Sequence, residues 1–276
     1  MLINTFIHIP GIGPVTEKKI WRSNIFNWKA DTNFSGLNLS ASKIKDIKTF
    51  AAASNQHLEN NNPGFFEALL PSNQHFRLFP EFRPFCAYLD IETTGLSSGS
   101  HITTIALYNG RQITYYVHGK NLDQFLDDIQ NYSVLITYNG RSFDIPFIEG
   151  YFNITLPHAQ IDLRYILKHL GFKGGLKKCE KALNIDRQDL EGVDGYFAVL
   201  LWNEYTRNGN PKALETLLAY NIEDVINLET LMIEAYNLNI RKTPFYASHE
   251  IKKPTQPENP FKADLKTIDR LKYRYY

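Results

Sequence analysis

The sequence predicts an α/β domain with a mixed sheet flanked by helices, preceded by a small helical amino-terminal segment. Three observations carry this reading. Residues 85–91, 101–108 and 112–117 are short apolar runs of strand length, and Asn109-Gly110 between the last two is a hairpin signal. Residues 133–138 form a further buried-strand pattern between two stretches of helical spacing, 122–129 and 143–152. From Ile161 the pattern is mainly helical, with segments at 163–170, 176–184, 193–206 and 211 to about 238. Strands with a hairpin, then alternation, then helices indicate a mixed sheet with helices packed on it.

The elements follow in order. The first 30 residues centre on Phe6-Ile7-His8-Ile9-Pro10-Gly11-Ile12-Gly13, and Ile20, Trp21, Ile25 and Trp28 predict a short helix and a turn. Residues 54–64 are rich in Asn and read as a linker or loop. Residues 65–70 predict one or two helical turns, closed by Pro71. After Arg241 the chain carries Pro244, Pro254, Pro257 and Pro260, which predicts an extended tail with a last helix near 262–274. The expected division is an amino-terminal segment 1–80, a central domain 81–240 and a basic tail 241–276.

Composition narrows the function. Across 276 residues, 30 Lys+Arg face 29 Asp+Glu, and a net charge of +1 by itself argues against a strongly basic nucleic-acid-binding protein. The average hides a partition: the three segments carry +3, −7 and +5. No apolar run approaches the ~20 residues of a membrane helix, and Met1–Thr5 does not open like a secretion signal, so no membrane partner is expected. Two cysteines, Cys86 and Cys179, are not expected to form a disulfide framework or a four-ligand zinc site. Free thiols in a reducing cytoplasm are the expectation.

Three groups of residues bear chemistry. Asp90 and Glu92 follow the apolar run Ala87-Tyr88-Leu89, and residues i and i+2 of a strand share a face. Two carboxylates there repel each other unless a cation lies between them; a solvated strand end before the turn at Thr93-Thr94-Gly95 is the alternative. Asn139-Gly140-Arg141-Ser142-Phe143-Asp144 again follows a buried strand, and reads either as a metal-site loop or as a helix cap by Ser142 or Asp144 ahead of Pro146. Tyr220 and Asp224 stand four apart on one helical face, as site residues or as a core Tyr beside a solvated acid, with Glu223 turned toward solvent.

Together, in this order, the three groups resemble the DEDD superfamily of 3′→5′ exonucleases, which has a ribonuclease H-like fold. Asp90 and Glu92 match its D-x-E motif, followed by Thr93-Thr94-Gly95-Leu96; Asn139, Phe143 and Asp144 match N-x3-F-D; Tyr220 and Asp224 match Y-x3-D, the tyrosine subgroup. Between about residues 5 and 240 the chain also resembles the YprB-type predicted bacterial exonucleases, through the 6–13 segment, residues 89–96, Gly174-Gly175-Leu176-Lys177, Asp194-Gly195-Tyr196 and 220–224. The resemblance implies two divalent ions, Mg²⁺ or Mn²⁺, which hard carboxylate oxygens suit. It implies Asp90 bridging both, Glu92 and Asp224 on the ion that activates water, and Asp144 on the second. It further implies Tyr220 orienting the water, Thr93 and Leu96 at the terminal nucleotide, and DNA or RNA 3′ ends as substrate. Asn139 and Phe143 belong with the nucleic-acid contacts, and Asp162 is read as a helix N-cap.

The flanks offer further contacts. Gly11 and Gly13, ahead of Lys18 and Lys19, resemble the turn of a helix-hairpin-helix, which presents backbone N–H groups to a phosphate; a capping turn under the domain is the alternative. Lys177, after Gly174-Gly175, is a second phosphate contact or part of a solvated basic face. The terminal Arg270-Leu271-Lys272-Tyr273-Arg274-Tyr275-Tyr276 mixes cations with aromatic rings, which suits single strands or a mobile end. The rival functional reading is a non-catalytic nucleic-acid-binding or repair-scaffold protein with a retired nuclease core; a small-molecule phosphodiesterase is a third. No protein partner is indicated.

Overall fold

The computed structural model describes residues 1–29, 33–34, 37, 39–97, 99–187, 190 and 194–275; Val193, the expected start of one helix, and Tyr276 lie outside them. The elements run α1 (Pro14–Arg22), α2 (Ala41–Glu59), α3 (Pro63–Leu69), α4 (Phe79–Phe82), β1 (Cys86–Thr93), β2 (Ile102–Tyr108), β3 (Ile113–Val117), α5 (Phe125–Asp128), β4 (Val134–Thr137), α6 (Asp144–Phe152), β5 (Ala159–Asp162), α7 (Leu163–His169), α8 (Leu176–Ala182), α9 (Gly195–Asn208), α10 (Pro211–Ile240), α11 (Tyr246–His249) and α12 (Leu265–Tyr275).

The five strands lie in the order β3-β2-β1-β4-β5. β1, β2 and β3 pair antiparallel; β4 and β5 continue parallel from β1. This is the mixed sheet flanked by helices of the ribonuclease H-like α/β fold. The predicted hairpin joins β2 and β3: Asn109 Oδ1 accepts from the Arg111 and Gln112 amides at 3.0 and 2.8 Å, and Gly110 takes a φ of +85°.

The sheet separates two apolar layers. Ala87, Leu89 and Ile91 of β1 pack with Phe125, Ile145 and Ile148. Tyr88 faces the other way, with Tyr108 and the buried face of α10. The same core takes in Phe6, Trp21, Trp28, Phe66 and Phe82, so the amino-terminal 80 residues and α10 share one apolar interior. Strand alternation therefore turns Asp90 and Glu92 toward α10.

Several expectations needed correction. Residues 54–59 belong to α2 rather than a loop; Ser54 is buried against His8 Nε2 at 2.8 Å, and only Asn60–Asn62 turn before Asn62 caps α3. Burial of one face outweighs the weak helix preference of the Asn-rich sequence. The helix expected over 122–129 divides into a 3₁₀ turn, the four-residue α5 and a second 3₁₀ turn. β5 was not anticipated: four residues are too short to show a strand period, and its pairing with β4 at Val134↔Ala159 through Thr137↔Asp162 makes it a strand. The tail does not leave the core. Phe245, Ile268 and Leu271 are buried, and Asn259 Nδ2 donates to the Ala219 carbonyl on α10 at 2.8 Å.

Candidate active site

β1 and α10 build most of the site. Asn210 caps α10 by accepting from the Lys212 amide, with Pro211 in the first turn. The helix buries its first turns against α9 and then packs on β1 and β2, which places Tyr220 and Asp224 opposite Asp90 and Glu92. One carboxylate oxygen from each of Asp90, Glu92 and Asp224 lies within 4.8 Å of the others. Asn221, between Tyr220 and Asp224 on α10, donates through Nδ2 to Asp90 Oδ2 at 2.7 Å and to its carbonyl at 3.2 Å. Its Oδ1 accepts from Thr104 Oγ1 at 2.9 Å, which fixes the amide's direction.

Asp144 arrives from the β4–α6 turn. Asn139 takes a φ of +69° there, and a Cβ on Gly140 would sit 2.3 Å from Thr137 Oγ1, so only glycine fits. Buried Asp162 accepts from the Asn139 and Arg141 amides at 2.8 and 3.3 Å while capping α7 through the Arg164 amide at 3.0 Å. It is the N-cap the sequence implied, and it also braces the turn. Neither Ser142 nor Asp144 caps α6 with its side chain. Asp144 Oδ1 instead accepts from the Ile91 amide at 3.2 Å, which sets its carboxylate against β1 between Asp90 and Glu92.

The electrostatics are strained. Burial pushes the Asp90 and Glu92 carboxyls well above the usual carboxylate range, and the charge of Asp224 pushes both further. Burial raises Asp144 to about 7 against the backbone N–H groups that favour its charged form. Burial, then the charges of Asp224 and Glu92, hold the Tyr220 hydroxyl well above its ordinary value of 10. Cations lie close by: Lys177 Nζ is 4.7 Å from the Tyr220 ring centroid with no hydrogen-bond partner among the described residues, its pKa lowered by burial. Arg187 contacts Asp224 Oδ1 at 2.5 Å. A buried, convergent, all-oxygen donor set with too few cations fits a hard divalent ion.

A cavity of about 850 Å³ opens over this cluster, lined by Asp90, Glu92, Asn139, Phe143, Lys177, Tyr220 and Asp224 among others. Other expected contacts lie outside its lining. Thr93 is buried, donating from Oγ1 to the Gly95 carbonyl at 2.9 Å, and Leu96 is 85% exposed. Gly11 and Gly13 lie in an exposed turn with its own shallow cavity beside Leu69. Glu223 is half-buried rather than turned to solvent, with Asn259 Nδ2 at 3.3 Å. The sequence reading missed Asn221 and Arg187. Asn221 lies inside a motif it quoted, whereas Arg187 carries no local pattern.

This fold and this carboxylate cluster define a nuclease-like protein. The RNase_H_2 model of the RNase_H superfamily matches residues 87–236, and the chain belongs to that superfamily, whose members generally hydrolyse phosphodiester bonds of nucleic acids. Among curated proteins it is similar to YprB of Bacillus subtilis (strain 168), an uncharacterized protein, with 31% identity over 170 residues. That match covers 53% of this chain and 40% of YprB. Among solved structures it aligns with the family B DNA polymerase of the hyperthermophilic archaeon Pyrobaculum calidifontis at 15% identity and a TM-score of 0.42, over 56% of this chain and 26% of that one. No helix among the described residues is long and apolar enough to cross a membrane.

Proposed function

We propose that the protein is a metal-dependent 3′→5′ exonuclease of the DEDD type, tyrosine subgroup, acting on DNA or RNA ends. The observation that carries this reading is the convergence of Asp90, Glu92 and Asp224 oxygens within 4.8 Å, in a cavity that Tyr220 also lines. Asp90, Glu92 and Asp224 would hold divalent ions, with Asp144, anchored on the Ile91 amide, completing the set. Two Mg²⁺ or Mn²⁺ ions bound there would stabilise the attacking and leaving oxygens and lower the pKa of water.

The chain's own groups supply the rest. A Tyr220 hydroxyl held above its ordinary pKa stays protonated at neutral pH. It therefore orients an attacking water by hydrogen bonding rather than removing its proton. Asn221 holds the Asp90 carboxylate through Oδ2 while gripping the same residue's backbone carbonyl. Phe143 offers an apolar face to a base, and Lys177 a cation to a phosphate, from the same cavity wall. Gly11 and Gly13 lie in the exposed turn ahead of α1, a position suited to a second phosphate contact.

The test is degradation of 3′- and 5′-labelled DNA and RNA with and without Mn²⁺. Asp90→Ala should lower activity about a thousandfold, on the order of 4 kcal/mol in barrier, with the thermal transition retained. Undiminished degradation by purified Asp90→Ala would sink the reading. Binding without cleavage by the wild type would favour a scaffold.

A further inference from the structure

Arg187 follows α8 in the chain and reaches back beneath the site, with its side chain 8% exposed. Nε and Nη2 grip Glu180 of α8, at 2.5 Å to Oε2 and 2.9 Å to Oε1. The same Nη2 meets Asp224 Oδ1 at 2.5 Å, and the guanidinium carbon lies 5.7 Å from the Tyr220 ring centroid. One side chain thus touches both functional residues of α10, which stand a turn apart.

Glu180 is held in turn. Asn227 Nδ2, on the next turn of α10 after Asp224, donates to Glu180 Oε1 at 3.1 Å. Gln256, from the segment between α11 and α12, donates through Nε2 to Asn227 Oδ1 at 2.9 Å and to Thr230 Oγ1 at 3.1 Å. A continuous row of polar contacts therefore runs from the carboxy-terminal segment to a site carboxylate.

The charges explain why this row differs from an ordinary buried ion pair. A guanidinium next to a divalent-ion ligand would repel the ion. Here the two-point grip of Glu180 cancels the Arg187 charge, so the pair contributes direction without net positive charge. With Oδ1 against Arg187, Asp224 has Oδ2 left to offer. The Arg187 N–H is not aligned for a hydrogen bond on Oδ1, and among the described residues no other group bonds that oxygen. Burying such an oxygen is costly unless the arrangement serves the site.

We propose that Arg187 is a positioning residue for the nuclease site: held by Glu180, it pins Asp224 through Oδ1, presents Oδ2 to the divalent ion, and steadies Tyr220. The row through Asn227 and Gln256 extends that support to the carboxy-terminal segment. This rests on the metal-dependent nuclease reading above.

The experiment titrates Mn²⁺ alone into the full chain, without nucleic acid, and follows the free-ion electron paramagnetic signal. Arg187→Met should weaken Mn²⁺ binding roughly ten- to a hundredfold, the usual cost of losing a ligand's support. Arg187→Lys should keep the wild-type thermal transition yet fail to restore affinity, because an ammonium cannot grip Glu180 and Asp224 together. Gln256→Ala should weaken binding severalfold. In degradation assays the same variants should lose kcat with KM for an oligonucleotide unchanged.

Wild-type Mn²⁺ affinity in folded Arg187→Lys, or a KM effect alone, overturns the proposal. Unfolding of both Arg187 variants together with wild-type affinity in Gln256→Ala overturns it as well, leaving a structural ion pair. A wild type that binds Mn²⁺ but degrades nothing refutes the nuclease reading and leaves the positioning role to stand on Mn²⁺ binding.

Discussion

Two buried charge clusters use the same residue types to opposite ends. In the amino-terminal region Glu17, 2% exposed, meets Arg77 at two points, Nη1–Oε1 2.8 Å and Nη2–Oε2 2.9 Å. The Phe6 amide donates to the same carboxylate at 2.7 Å, and Arg77 also donates to Thr5 Oγ1 and Gln74 Oε1. Every charge there has partners. At the site, buried Glu92, Asp144 and Asp224 surround half-buried Asp90, with Arg187 already shared with Glu180 and Lys177 without a hydrogen bond among the described residues. A satisfied cluster holds a fold; one left short of positive charge marks where a ligand's charge belongs.

Breaking the satisfied cluster should have the largest effect on stability. Arg77→Met leaves Glu17 charged and buried, so it should lower unfolding free energy by about 3–5 kcal/mol in urea titrations, while Mn²⁺ affinity stays at wild-type level in the folded fraction. Divalent ions should act only on the other cluster. Mn²⁺ at about a hundred times its dissociation constant should stabilise the wild type by about 2.7 kcal/mol, and Asp224→Ala should abolish that gain. A similar gain in Asp224→Ala would break the comparison.

The smallest effect is a pair of opposed pH trends. Asp144 is raised from 3.8 to about 7, chiefly by burial. The stability carried by its protonated form is present below pH 4 and lost as pH rises through 7. Without metal the wild type should therefore weaken between about pH 4 and 7 and level off above that, and Asp144→Asn should flatten that slope in urea midpoints. His8, in the amino-terminal core beside Trp28 and Phe66, is lowered from 6.5 to about 4, chiefly by burial. Its contribution is present above 6.5 and lost as pH falls through 4, so His8→Phe should remove part of the acid-side decline only.

Much of the site was readable because its geometry is local. Asp90 and Glu92 share a face by strand alternation, Tyr220 and Asp224 by helical spacing, and Asp144 sits where a strand turns into a helix. Asn221 lacked such a signal: within Tyr220–Asp224 it is one more polar helix residue until Thr104 and Asp90 stand opposite it. Arg187 acquires meaning only through Glu180, Asp224 and Tyr220, which lie on two different helices. The Asn-rich stretch misled for a related reason. Composition reports backbone preference, whereas Ser54 and Ala51 are helical because one face of α2 is buried.

The sequence by itself determined the four strands β1 to β4, the β2–β3 hairpin, and the carboxylates that share a face of one strand and one helix. Each depends on residues within a few positions of one another, where backbone geometry follows from period and turn chemistry. Only the tertiary structure decided that β5 joins the sheet, that the carboxy-terminal segment packs along α10, and which buried charges find partners. Those outcomes depend on groups far apart in the chain, as Asn221 is from Asp90. Whether a buried carboxylate is neutralised or left wanting a cation is settled by what the fold brings within about 3–5 Å of it.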